Sequence, residues 1–173
     1  MTERPDGSEY APFYAGYVKL VPEGDILATL EAQLGEMLVL LSSVSESESL
    51  VRHAPYTWSV REVVGHMTDA ERVFGYRALR FSRSDATPLA SFDENAYTQA
   101  GCFDRVPLAD LVREFEVTRR SNLLLFRHLS PESWSRGGKA SDNFVTVRAL
   151  AHIIVGHARH HTEILRKRLA PGC

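Results

Sequence analysis

Seven histidines are spread over the 173 residues, and three of them, His66, His157 and His161, stand where imidazole can do more than fill space. At about 100° per residue, His157 and His161 lie about 40° apart on one helical face, which they share with Leu150, Ile154, Ile164 and Leu165. Two rings one turn apart on an apolar face leave ring nitrogens in need of partners, and a metal ion supplies one to both. The i, i+4 spacing lets two Nε2 atoms converge at about 2.0–2.1 Å from a zinc ion. Taken alone, such a pair is more often a capped, partly exposed couple. His66 strengthens the metal reading, because it falls on the core-facing edge of another long helix and can bring a third nitrogen across. Three neutral imidazoles leave one coordination position open for water or substrate, as in catalytic rather than structural zinc. The same donors suit Ni(II) or Fe(II), so the residues do not name the ion. Because imidazole must be neutral to bind, metal affinity is expected to fall as pH drops through about 6.5.

The other histidines have plainer explanations. His152 points about 140° away from His157, His53 lies in a loop, and His128 sits at a helix end, where a positive ring complements the dipole. His160 lies at the margin of the core-facing arc and is a candidate second donor beside the site. Glu62, one turn before His66, could orient that ring, although a helix-capping role already accounts for it. Familiar constellations are absent. A zincin helix needs Glu directly after its first His, where this chain has Ala158, and no Glu-x-x-His of the di-iron type occurs. Arg136-Gly137-Gly138-Lys139 lacks the spacing of a phosphate loop. No catalytic residue is assigned.

The elements that must position these rings are helical. Apolar residues recur at helical spacing in four segments, with no sustained strand-like alternation, so an all-α four-helix bundle is expected. The first helix, about 25–42, starts at Asp25 as N-cap and carries Ile26, Leu27, Leu30, Leu34, Met37, Leu38 and Leu41. The second, about 59–81, opens on the capping box Ser59-Val60-Arg61-Glu62, with Trp58 placed to staple it. The third, about 107–129, follows Pro107 and stops at Ser130-Pro131; the fourth, about 146–169, is capped by Thr146 and ends before Pro171-Gly172. A long connection from Ser82 to Arg105 separates the second and third helices and has room for one short helical piece. Long connections in compact domains are often functional. A second connection runs from Glu132 to Phe144.

Composition bounds the function classes. With 44% hydrophobic and 24% charged residues, residues 1–173 read as one globular domain able to hold its core without disulfides. Lys+Arg 20 against Asp+Glu 22, net charge -2, gives no basic field for nucleic acid and no polybasic membrane patch. Only Cys102 and Cys173 are present, neither placed as a ligand pair or disulfide framework, which points to a reducing compartment. The N-terminus is charged where a signal peptide is apolar, and no run is long enough to span a bilayer, so a cytoplasmic location is expected.

Several separated segments resemble the DinB/YfiT-like superfamily of metal-binding four-helix proteins. They are Tyr14-Ala15-Gly16-Tyr17-Val18 ahead of Val21-Pro22-Glu23-Gly24-Asp25, Trp58 through His66, Phe92-Asp93-Glu94-Asn95-Ala96-Tyr97, and Gly156-His157-Ala158-Arg159-His160-His161. The resemblance implies that His66, His157 and His161 form the family's three-histidine site, with zinc or nickel as the ion. It also implies a thiol-dependent transferase or isomerase that uses bacillithiol, mycothiol or a similar cofactor: the ion would hold the thiol as thiolate against an electrophile. A homodimer is what relatives suggest. Asp93, Glu94 and Asn95 could then bind an amine or hydroxyl of the thiol cofactor and Arg148 or Arg136 its carboxylate, with Tyr97 and Tyr14 closing the pocket. Capping and loop solvation are the readier account of those charges. Two other functions stay open: a metal-dependent hydrolase that lowers the pKa of water to about 7, and a non-catalytic metal-binding stress protein.

Overall fold

A computed structural model describes residues 3–85 and 87–170; Cys173 lies outside the described residues. Four long helices form the bundle: α2 (Ile26–Ser42), α3 (Val60–Ser82), α5 (Leu108–Arg127) and α6 (Val147–Arg168), each within two residues of its expected ends. Their starts are set by local chemistry. Asp25 accepts the Leu27 N–H at 2.9 Å. Ser59 and Glu62 exchange bonds in a complete capping box, and Thr146 accepts the Ala149 N–H at 3.1 Å. Pro107 at the head of α5 brings no side-chain acceptor. The Glu46 carboxylate, from the connection after α2, instead receives the Leu108 N–H at 3.0 Å.

α2 and α3 each pack against both α5 and α6. Helices consecutive among these four are therefore not always neighbours: α2 and α3 stand diagonally opposed, as do α5 and α6. A short loop cannot cross a bundle diagonal, which explains the long connections after α2 and after α5.

Shorter elements precede and join the four long helices. A five-residue helix, α1 (Ala15–Lys19), lies on α6, and α4 (Glu94–Gly101), the short helical piece for which the long connection had room, lies on α3. The Glu132–Phe144 connection is not simply a loop. Its second half is an antiparallel hairpin, β1 (Gly137–Ala140) and β2 (Asn143–Thr146), which runs straight into the cap of α6. Each strand has only four residues, too few for an alternation to show. The turn residues Ser141 and Asp142 take φ of 49° and 62° without the glycine that usually marks a two-residue hairpin. Leu89 adds a parallel bridge to Ala140 and ties the long connection to the hairpin.

The apolar core has two parts. One joins Ile26, Leu30, Ala70, Phe74, Phe81, Phe126 and Leu150; the other joins Leu34, Met37, Val63, Met67, Phe115 and Leu165. Between them lies a polar layer built from Gln33, Glu71, Arg119 and Asn122, with His157 on the facing helix. Among the described residues no helix is long and apolar enough to cross a membrane.

Candidate metal centre

The capping box that starts α3 places His66 in its second turn, facing α6. His157 and His161 approach from α6. The His66 Nε2 lies 3.0 Å from the His157 Nε2, the His161 Nε2 lies 3.2 Å from the same atom, and one nitrogen of each ring falls within 4.8 Å of the others. His66 and His157 are buried and His161 is partly so. The surroundings are aromatic: Trp58 is 4.8 Å from the His66 ring centroid, and Tyr17 and Phe74 are 5.4 and 6.1 Å from that of His157.

Burial holds all three rings neutral. Desolvation pushes His66 down to about 4, against a partial counter-effect of the Glu94 charge. His161 is pushed down to about 3, again chiefly by desolvation. His157 lies well below the ordinary imidazole range through desolvation, then the neighbouring histidines and the Arg119 cation. The onset of proton competition, expected at the free-imidazole value near 6.5, therefore moves to lower pH.

A divalent cation fits this cluster on the geometry. A neutral Nε2 has one in-plane position, occupied by a hydrogen or by a lone pair, so His157 makes one good hydrogen bond to its two neighbours and not two. A cation among three lone pairs satisfies every ring. The 3.0 and 3.2 Å separations are close to the edge of about 3.3 Å expected between nitrogens bound about 2.0–2.1 Å from a tetrahedral ion.

The cluster opens on a cleft of about 420 Å³ walled by Phe13, Tyr14, Tyr17, Trp58, Phe74, Ser91, Phe92, Glu94 and Ser141. α1 forms one wall because Gly156, just before His157, carries no side chain. A Cβ there would stand 2.0 Å from the Tyr17 carbonyl oxygen. Desolvation makes the Tyr14 and Tyr17 hydroxyls weaker acids than an exposed phenol, so both stay protonated.

The DinB superfamily profile matches residues 29–165, well over half of the chain. The chain belongs to the DinB superfamily. No curated protein matches it. Among solved structures, it superposes on YfiT from Bacillus subtilis with a TM-score of 0.71 at 18% identity, over 96% of this chain and 93% of that one. YfiT is described as a probable metal-dependent hydrolase with an unusual four-helix bundle topology. A mycothiol-dependent maleylpyruvate isomerase superposes with a TM-score of 0.69 at 13% identity over 89% of this chain, which spans only 63% of that enzyme. A variant of the isomerase gives the same TM-score at 12% identity. These likenesses establish a shared DinB-type bundle.

The weaker candidates separate clearly. Glu94 stands on the cleft wall. Asp93 instead caps α4, accepting the Asn95 and Ala96 N–H groups, and Asn95 is exposed. Glu62 is taken up by the Ser59 N–H at 2.7 Å and by Arg52, not by His66. His160 is exposed, its ring 5.1 Å from that of His161. Arg148 pairs with Glu9 at 2.6 Å, and Arg136 donates to the Ser82 carbonyl at 2.6 Å; each of these cations already has a structural partner. Tyr97 is exposed against Phe92, whereas Tyr14 does wall the cleft.

Sequence reasoning passed over the polar layer behind His157. Arg119 is fully buried and donates to Glu71, to Gln33 at 2.9 Å and to the Leu30 carbonyl at 3.3 Å. Asn122 donates to the other Glu71 oxygen at 2.8 Å, and Gln33 donates to the Val155 carbonyl at 2.9 Å. The signal was present, since Arg119 sits one turn after Phe115 in the apolar stripe of α5.

Proposed function

We propose that this DinB chain is a metal-dependent enzyme whose ion, held by His66, His157 and His161, activates a low-molecular-weight thiol for transfer to an electrophile. The observation that carries the reading is the meeting of three desolvated imidazoles at one wall of an aromatic cleft. A divalent ion bound there supplies Lewis acidity, lowering the pKa of a thiol or water by placing a positive charge beside it.

The chain's own residues account for the rest. Phe13, Tyr14, Tyr17, Trp58, Phe74 and Phe92 exclude bulk water from the reacting groups and give them apolar walls. Glu94, whose charge is felt at His66, is placed to take up a proton at its carboxylate or to pair with an amine of the thiol. Among the described residues no cysteine enters: Cys102 is exposed and donates weakly to the Gln99 carbonyl. Zinc, nickel and iron all suit a three-imidazole donor set. The naming of a mycothiol-dependent isomerase among the structural neighbours supports the thiol reading.

Hydrolysis is the second reading, favoured by the description of YfiT and by the presence of Glu94 as a proton acceptor on the cleft wall. One experiment separates the two. Purified protein with its metal content measured is assayed for loss of monochlorobimane with bacillithiol, mycothiol, glutathione and cysteine, and for ester hydrolysis without thiol. Thiol- and metal-dependent loss is the expected result. Metal-loaded protein inert with every thiol, yet hydrolytic, replaces the thiol by water; metal without either activity leaves a metal-binding protein.

A further inference from the structure

Among the described residues four arginines are buried, and they divide by what neutralises them: Arg61, Arg77, Arg119 and Arg168. Arg119 has Glu71 and Arg61 has Glu46. Among the described residues, neither Arg77 nor Arg168 has a carboxylate within ion-pair distance. Arg168 lies in the last turn of α6, where it holds the Val51 and Trp58 carbonyls. Arg77 is only 2% exposed, and its surroundings are those of the cleft. Its Nη2 donates to the Ser141 Oγ and to the Ala90 carbonyl, both at 2.9 Å. Its guanidinium lies 5.9 Å from the Phe74 ring centroid and 6.0 Å from that of Phe92, and its charge is felt at the Tyr14 phenol. Tyr14, Phe74, Phe92 and Ser141 all wall the cleft onto which the histidines open.

A desolvated guanidinium held by neutral acceptors and ring faces has no counter-charge beside it, and an anion is the group that compensates it best. We propose that this end of the cleft is a carboxylate subsite, in which the substrate's anion is received by the Tyr14 and Ser141 hydroxyls and neutralised by Arg77 behind them. The inference rests on the reading of the cleft as the substrate site. Arg77 follows His66 by eleven residues on α3, three turns on nearly the same face, and long side chains on a helix lean toward its N-terminal end, which here is the end that carries His66. The two ends are thus on the order of 10 Å apart, from a helix rise of about 16 Å less the reach of the side chain. The walls between them are aromatic. The ligand class that matches is a molecule with its reacting group at the histidines, an apolar body, and a terminal carboxylate. A phosphate dianion fits less well, because one cation faces it and Glu94 shares the cleft.

The test is calorimetry with 4-phenylbutyrate and with 4-phenylbutanol, which differ in the terminal charge. The wild-type chain should bind the carboxylate at least tenfold more tightly. Arg77→Gln should remove the difference and leave alcohol binding in place. Arg77 also pins two loops to α3, so Ser141→Ala, which spares the guanidinium, is measured beside it and should weaken carboxylate binding about threefold. Equal affinity of the wild type for both probes, binding of neither, or a preference that survives in Arg77→Gln overturns the subsite. Metal content and thiol turnover are measured on the same preparations. A chain that prefers the carboxylate but holds no metal keeps the subsite and loses the proposed chemistry.

Discussion

Two polar clusters occupy the middle of this bundle, and they are built on opposite terms. Around Arg119, both oxygens of the Glu71 carboxylate are engaged, and Gln33 and Asn122 complete a network closed on all sides. Around His157, three rings converge with nitrogens facing one another and an open cleft beside them. A buried ion pair with its hydrogen bonds satisfied tolerates no visitor, because its charges and lone pairs are already used. The histidine cluster is incomplete without a ligand, and incompleteness is what a binding site requires. The closed cluster also stands behind the open one: the Arg119 charge is among the influences that hold His157 neutral.

Breaking the closed cluster should cost most. Glu71→Ala leaves the Arg119 cation buried without a counter-ion and is expected to lower stability by about 3–5 kcal/mol. Urea unfolding measures it, and a loss below about 1 kcal/mol would mean that water or a rearranged neighbour replaces the carboxylate.

The open cluster should show itself through pH. The folded-state values of His66 and His161, about 4 and about 3, lie below the unfolded value near 6.5, so in acid the folded chain binds fewer protons than the unfolded chain. These rings therefore contribute their full stability to the metal-free protein above pH 6.5, and it is lost as pH falls from 6.5 toward 4 for His66 and toward 3 for His161. A tenfold difference in proton affinity between the two states is worth roughly 1.4 kcal/mol. His66→Ala should make this loss shallower, abolish stoichiometric metal binding and leave the far-ultraviolet helix signal intact, since alanine propagates a helix well. An unchanged pH profile would place the neutral rings elsewhere.

Gly156→Ala sharpens the contrast from the backbone side. The new methyl meets the Tyr17 carbonyl, so α1 must move off α6 at a cost of about 1–3 kcal/mol. The wall of the open cluster is lost while the Arg119 network stays in place. Thermal unfolding and Tyr17 accessibility report the two effects. The smallest change is expected from Asp93→Ala, which removes the cap of α4 for about 1 kcal/mol or less and leaves metal content unaltered. A loss of metal in that variant would restore Asp93 to the site.

Much of the open cluster was legible in the chain. The i, i+4 relation of His157 and His161 follows from helical period, and Ser59 and Glu62 mark the start of the helix that carries His66. The closed cluster was harder to read. An arginine in an apolar stripe is visible, but its partners Gln33 and Glu71 lie on other helices, and nothing local joins them. The hairpin went unread because its strands are too short for alternation and its turn uses Ser141 and Asp142 in place of glycine.

The sequence by itself determined the four long helices, the caps of α2, α3 and α6 and the face on which each histidine stands, because period and local capping act over three or four residues. It also determined the net charge of -2 at pH 7, since charge is additive along the chain. Only the tertiary structure decided that Glu94 reaches the cleft while Asp93 caps a helix, that Arg148 is held by Glu9, and that Arg77 meets the aromatic wall. Those outcomes depend on which distant segments are packed together, and a contact between residues far apart in the chain leaves no mark on the residues that lie between them.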